Sequence, residues 1–492
     1  VARVGTAAGT KPAQNGKALK KPDPLQEHYD ALEKLSGETT GENDLEYGGS
    51  KFVIPEKYDL TEAIKVLVKK QKDEETLVQL NRTFDYRPWD GAYAFYNACM
   101  KHFGFVNSKS FKEGSFFSKT QGTQWIDIPT APNKNMSVPW NEVFVPVVPE
   151  FPFYLAAQRH PEKGELFRMS IECPRKFKKR VEGLFALVAR ELETNSLYRG
   201  KAFDGSAMPQ FIDLSGVDPN KVVYPEELMA HLQFNIFEYV LPEKRERLKR
   251  KGQSMKRAVL LEGSYGSGKT MALYLTGQMS VSSGLTFILC RPEDDLMQVL
   301  QTARLYMPSV VAFEDLDIIA EANPNTDNPA TSISLVLDRF DGMRAKGLEI
   351  LCVLTTNHVE KLHKGMIRPG RLDGIIKFGL FDRPAVEGLI EVLVGGALSP
   401  TVDWDPVWEA YQNLMPAFIK EAAERSVRYG LMNADEPVIT ERELILGAHS
   451  LETQLELMAD APEMSERDRL GVLLERVAES GAEKAIVKKF GA

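Results

Sequence analysis

The chain is 492 residues long, 43% hydrophobic and 26% charged, enough for about three domains and a sizeable core, which excludes a small stapled scaffold. Sixty-nine acidic residues against 61 basic ones leave a net charge of −8, which argues against a protein that clings to nucleic acid by bulk charge. Ordinary glycine (36) and proline (28) contents exclude a collagen-like or low-complexity chain, and no apolar run reaches the roughly 18 residues of a membrane-spanning helix.

Residues 1–48 are rich in Lys, Pro, Gly, Thr and Glu and poor in large apolar side chains. They are expected to form a flexible tail, with one helical turn near Leu25–Leu35. Val1 to Lys21 carries no apolar signal-peptide core, and a cytoplasmic location is expected. The composition then shifts, and 49–202 is expected to be a compact α+β domain. Residues 166–173 alternate, with Phe167, Met169, Ile171 and Cys173 on one face, as in a strand. Residues 176–192 place Phe177, Val181, Leu184, Phe185 and Val188 on one helical stripe. Aromatics crowd Phe84 to Phe105 beside Arg82, Arg87 and Lys101. Base stacking is one reading, but their spacing fits buried helix and strand faces better. The basic cluster Arg175–Arg180 reads more simply as a solvated helix start than as a nucleic-acid site.

From 203 onwards apolar strands alternate with helical segments, the pattern of a parallel α/β sheet. The strands are expected at 258–261, 286–290, 309–313 and 350–354, and an amphipathic helix at 224–240 precedes them. After 384 the pattern is helical only: 385–395, 404–414, 416–429, 441–458 and 464–489. The segments are thus 1–48, 49–202, 203–384 and 385–492. Cys99, Cys173, Cys290 and Cys352 show no paired spacing and are expected as buried free thiols; with no Cys/His cluster, no structural zinc is expected.

Two motifs carry chemistry. The strand at 258–261 runs into Gly263, Ser264, Tyr265, Gly266, Ser267, Gly268, Lys269 and Thr270, after which a helix begins. Glycines in such a loop let backbone N–H groups approach phosphate oxygens, and the helix N-terminus adds partial positive charge. Lys269 is placed to reach β- and γ-phosphates and the Thr270 hydroxyl to ligate Mg²⁺. The second motif, Glu314 and Asp315, ends an apolar strand, where open α/β sheets bind ligands. One carboxylate can serve a Mg²⁺ shell and its neighbour the attacking water.

With these motifs in order, Leu354–Asn357 ending another apolar strand and the run Ile367–Asp373 give the chain a resemblance to the AAA family of ATPases over about residues 210–430. The resemblance implies a P-loop NTPase fold: a parallel α/β core with a C-terminal α-helical lid, here preceded by an α+β domain. It implies ATP and Mg²⁺ as cofactors, a ring that is usually a hexamer, and remodelling of a macromolecule, with 49–202 choosing a protein partner. By position, Gly263–Thr270 matches the Walker A loop and Glu314–Asp315 the Walker B pair, Glu314 with Thr270 organising Mg²⁺ and Asp315 acting on water. Asn357 matches sensor 1, and Arg368 and Arg371 match the arginine fingers that reach a neighbour's ATP. The alternatives are a nucleic-acid motor or loader, supported only by Lys244–Arg257 and Arg175–Arg180, and a nucleotide-regulated scaffold with slow turnover.

The sequence departs from the family pattern in instructive places. The acidic pair is in the order Glu then Asp, where the family has Asp then Glu. Met415, Pro416, Ala417 and Phe418 replace the glycine that precedes the lid helix, and Asp213–Gly216 only loosely resembles the segment that lies against adenine. Between Cys290 and Leu296 the aromatic-hydrophobic-glycine loop of threading translocases is missing, which weakens a threading mechanism. The chain end, Lys488–Ala492, lacks the tyrosine-containing tail of proteasomal ATPases.

Overall fold

The structure of the chain, a computed structural model, describes residues 60–104, 123–148, 150–253, 255–291, 293–315, 348–357, 371–452 and 454–455. The expected tail 1–48, the helix 464–489 and Arg368 lie outside the described residues. The chain divides into two compact units, Val1–Arg199 and Gly200–Ala492.

The first unit is built on a five-stranded antiparallel sheet. Its strands are β1 (Leu77–Phe84), β2 (Gln124–Ala131), β3 (Lys134–Val143), β4 (Phe153–His160) and β5 (Gly164–Pro174), in the order β1-β5-β4-β3-β2. Helix α1 (Leu60–Glu75) precedes β1, α2 (Pro88–Phe103) follows it, and α3 (Lys178–Thr194) follows β5. Alternation decides the core: Phe167, Met169, Ile171 and Cys173 of β5 are buried beside Phe153 and Leu155 of β4. Against them pack Phe95, Ala98 and Cys99 of α2 and Val181, Leu184, Phe185 and Val188 of α3. This is the α+β arrangement expected from the sequence, with the helix starting at Lys178, two residues later than 176, because Arg175–Phe177 form a 3₁₀ turn.

Four of the cations singled out in this unit have partners within it. Buried Arg87 donates to the carbonyls of Lys163 at 3.2 Å and Glu165 at 2.9 Å. Lys101 pairs with Glu191 at 2.8 Å, Lys176 with Glu75 at 2.6 Å, and Arg82 lies over the Phe84 ring.

The second unit is a six-stranded sheet in which every pairing is parallel, in the order β11-β7-β10-β9-β8-β6. The strands are β6 (Ala202–Asp204), β7 (Arg257–Gly263), β8 (Thr286–Cys290), β9 (Ser309–Phe313), β10 (Ile350–Thr356) and β11 (Gly374–Phe378). The four inner strands are the continuous apolar runs legible in the sequence, and β8, β9 and β10 are buried throughout, as a sheet covered on both faces demands. The outer strands β6 and β11 were not expected. They are short, and β11 alternates buried Ile376 and Phe378 with exposed Ile375 and Lys377, as an edge strand does.

The helix expected at 224–240 begins at α4 (Glu226–Leu232) and passes through a π-helical turn, Gln233–Phe237. Asn235 in that turn sets its side-chain oxygen 2.9 Å from where a Cβ on Gly374 would stand, so the turn seats this element closely on β11. The basic stretch forms α5 (Pro242–Arg250). Helix α6 (Lys269–Ser282) follows β7, and α7 (Leu296–Leu305), capped by Asp295, follows β8. The C-terminal helices are α8 (Arg383–Val394), α9 (Trp404–Tyr411), α10 (Pro416–Asn433) and α11 (Glu441–His449). The helix expected over 441–458 is interrupted after His449, where Ser450 and Leu451 turn the chain. One apolar core runs from the sheet (Val259, Leu261, Val353) into these helices (Val386, Ile390, Tyr411, Ile419, Leu444).

All four cysteines are free and buried, and burial pushes the Cys173 thiol up to about 11. Among the described residues, no helix is long and apolar enough to cross a membrane.

Candidate functional site: a phosphate-binding loop and its acidic neighbours

Sheet order assembles the site. Strands β7, β10 and β9 are neighbours and parallel, so their carboxyl ends lie side by side. The loop after β7, Asn357 after β10, and Glu314 with Asp315 after β9 are therefore brought together, although they are far apart in the chain.

The loop folds as its glycines allow. Gly266 (φ +77°) and Gly268 (φ +99°) occupy the left-handed region, where an L side chain is strained. Gly268 also lies against the Tyr224 ring, which would be 3.3 Å from an added Cβ, and Tyr224 donates its hydroxyl to the Gly268 carbonyl at 2.8 Å. Burial holds the Tyr224 phenol far above its usual pKa, so it remains a neutral donor. Ser267 is fully buried, whereas Tyr265 projects into solvent at 59% exposure.

Lys269 opens α6 and is 6% exposed. Its ammonium donates to the carbonyls of Gly263 at 2.6 Å and Ser264 at 2.9 Å, and to Asn357 Oδ1 at 2.8 Å. Thr270 Oγ1 donates to Glu314 Oε1 at 2.9 Å. Asn357 Nδ2 donates to Asp315 Oδ1 at 3.2 Å, and the Asp315 backbone N–H donates to Thr355 Oγ1 at 2.9 Å. Asp315 itself has φ +49°, a conformation that Asp tolerates better than most residues. The two carboxylates thus have different company: Glu314 faces the Thr270 hydroxyl and Asp315 the Asn357 carboxamide.

Four of these residues border a cavity of about 620 Å³. Its lining includes Lys269, Thr270, Asp315 and Asn357 together with Val217, Val222 and Val223, ahead of α4, and Leu389, Val392 and Leu393 of α8. Gly216 lines it too, which gives the loosely matching segment 213–216 a place at the site. Pro416 and Ala417 close it from α10, and the Ala417 N–H donates to the Gly266 carbonyl at 3.0 Å, so the altered lid-helix start bonds directly to the loop. A cavity that combines cationic and hydrogen-bonding groups with apolar side chains suits a ligand that has phosphates and a flat apolar ring system.

The oxygen donors fit Mg²⁺. A magnesium ion takes hard oxygen ligands and is commonly held by one or two protein groups together with substrate phosphates and water, and the Thr270 hydroxyl beside the Glu314 carboxylate supplies such a pair.

Of the remaining expected residues, Arg371 is half-buried in the turn before β11 and is not among the described residues lining the cavity. The residues between Cys290 and α7 are Arg291 to Asp295, charged apart from Pro292 and without an aromatic. Sequence reasoning missed Tyr224 and Thr355. No motif marks Tyr224. A hydroxyl at the end of the apolar run before Asn357 was a readable signal for Thr355.

Residues 259–380 match the family described as "ATPase family associated with various cellular activities (AAA)". Among curated proteins, the "ATPase family gene 2 protein" of Saccharomyces cerevisiae is 29% identical over 153 residues, 29% of this chain and 19% of the relative. The "26S proteasome regulatory subunit 6B homolog" of Aspergillus niger is 27% identical over 243 residues, 45% of this chain and 55% of the relative. "Protein CdcH" of Halobacterium salinarum is 26% identical over 194 residues, 36% of this chain and 26% of the relative. The chain therefore spans little more than half the length of these relatives at most. The parallel sheet, its C-terminal helices and the matched segment agree: this chain carries an AAA ATPase family domain over residues 259–380, with an additional N-terminal region ahead of it.

Proposed function

We propose that the chain binds and hydrolyses ATP with Mg²⁺, assembles as a ring of AAA domains, expected to be a hexamer, and uses the cycle to remodel a protein partner in the cytoplasm. The observation that carries this reading is that Lys269, Thr270, Asp315 and Asn357 line one cavity, with Lys269, Asn357 and Asp315 joined by hydrogen bonds and Glu314 bonded to Thr270.

In this reading the loop N–H groups and Lys269 bind the phosphates, and the apolar side chains of the cavity receive the base. Thr270 and Glu314 would hold Mg²⁺, which would supply positive charge to offset that of the phosphates. Asn357 and Asp315 orient water, and Asp315 accepts its proton. The water oxygen bonds to the γ-phosphorus as the bond to the bridging oxygen breaks, giving ADP and phosphate. Arg368 and Arg371 are assigned to a neighbouring subunit's nucleotide, where a planar, permanently charged guanidinium stabilises the transferring phosphoryl group. The segments 1–48, 49–202, 203–384 and 385–492 are proposed as tail, partner-binding domain, large ATPase domain and helical lid with its extension. Free, buried cysteines fit a reducing compartment.

A second reading, a nucleotide-regulated scaffold with slow turnover, is favoured by one observation. The water-side carboxylate is the shorter Asp315, reached through a left-handed backbone. The two readings separate in an Asp315→Asn preparation made with ATP, examined for particle mass and copurifying protein beside the wild-type turnover rate. A machine turns over in the wild type and retains a partner in the variant. A scaffold assembles in both and turns over in neither.

A further inference from the structure

We propose that Thr355 is a positioning residue for Asp315, holding the backbone of the water-side carboxylate in the one conformation that aims it at Asn357. The inference rests on the ATP-hydrolysis reading above and adds a residue to it.

The register of β9 against β10 ends at Phe313 opposite Leu354. Beyond that point the chain after β9 bonds to both neighbours. The Glu314 N–H points to the Cys290 carbonyl of β8 at 3.4 Å. The next amide, that of Asp315, points the other way, towards β10, as alternate amides of a strand do. There it meets a side chain: the Thr355 hydroxyl accepts it at 2.9 Å. Asp315 has already left the extended conformation, at φ +49°, so the hydroxyl takes the place of the carbonyl that a continuing ladder would offer. Thr355 is 1% exposed, so its hydroxyl is out of reach of bulk water and the bond to Asp315 gives it a partner within the fold.

The end of β10 therefore grips Asp315 at two points, the backbone through Thr355 and the carboxylate through Asn357. A glutamate in this place would have an extra methylene with which to find its position. The shorter aspartate depends on where its backbone stands, and small misplacements of a reacting group are costly.

The test uses the full chain with Thr355→Val and Thr355→Ser. ATP turnover, the KM for ATP, affinity for a fluorescent ATP analogue, melting temperature and exchange of the Asp315 amide are measured. Thr355→Val is expected to lower kcat about 10- to 100-fold, with KM and analogue affinity changed less than about twofold. Its Asp315 amide should exchange faster than in the wild type. Thr355→Ser, which keeps the acceptor, should restore both. Positioning is overturned if Thr355→Val keeps the wild-type kcat, if kcat and nucleotide affinity fall together with the melting temperature, or if the serine variant is no better than the valine. A wild-type chain that binds the analogue but never turns over ATP overturns the hydrolysis reading, and this inference with it, whatever the variants do.

Discussion

Thr270 donates its hydroxyl to Glu314 across the gap between the start of α6 and the end of β9, at 2.9 Å. This contact pairs the first carboxylate, not the second, with the hydroxyl expected beside the metal. It bears directly on the reversed order of the acidic pair. Glu314→Gln should therefore weaken the Mg²⁺ dependence of nucleotide binding, whereas Asp315→Asn should leave it intact and slow turnover about 100-fold or more. Mg²⁺ titrations of both variants check this. Equal Mg²⁺ requirements in the two would reverse the assignment.

Lys269 holds together the loop carbonyls and Asn357, and its ammonium is the principal charge offered to a phosphate. Lys269→Ala removes several charge-assisted hydrogen bonds at once, so ATP should bind about 100-fold more weakly or not measurably. Calorimetry reads the affinity directly. Tight binding by the variant would place the nucleotide elsewhere.

Gly268 tests the loop's backbone independently of its charge. Its φ of +99° and the Tyr224 ring 3.3 Å from an added Cβ give alanine both strain and a tight contact. Gly268→Ala should weaken nucleotide binding about tenfold or more and lower the melting temperature by about a few degrees. Tyr224→Phe, which frees the Gly268 carbonyl but keeps the ring, should have a smaller effect in the same direction.

The first unit offers a pH prediction. Burial works to raise the Glu191 carboxyl, and hydrogen bonds from Lys101 at 2.8 Å and Asn195 at 3.0 Å outweigh it, so the group lies below the ordinary carboxylate range. A carboxyl depressed by folding contributes stability that is fully present above its unfolded value, about 4.3, and is lost as pH falls through the folded value. Wild-type stability should therefore fall with pH below about 4.3, and Glu191→Gln should fall less steeply while starting lower at neutral pH. Denaturant unfolding of the full chain at stepped pH values makes the comparison. Parallel pH profiles would show that the Lys101–Glu191 pair contributes nothing.

The sequence was most legible where a physical requirement is local. Buried parallel strands must be apolar throughout, so β7 to β10 could be read directly, and the alternation of β5 showed which face carries Phe167 and Met169. A phosphate loop needs glycines with particular backbone freedom, and Gly266 and Gly268 supply it. What could not be read depends on distant partners. Edge strands β6 and β11 are defined by the neighbour they pair with rather than by their few residues. The π turn at Gln233–Phe237 lies close against Gly374, more than a hundred residues away, and no local pattern announces it. Val222, Val223, Leu389 and Leu393 look like ordinary core residues until the fold sets them around one cavity. Tyr224 was missed for the same reason, since its partner Gly268 lies 44 positions away.

The central claim is that this cavity binds ATP and that Glu314, Asp315 and Asn357 turn it over. Steady-state phosphate release from Mg²⁺-ATP by the wild-type chain, beside Lys269→Ala and Asp315→Asn, tests it most directly. The account predicts release by the wild type alone, nucleotide binding retained in Asp315→Asn, and binding lost in Lys269→Ala. Phosphate release at the wild-type rate by Asp315→Asn, or by Lys269→Ala, would contradict it.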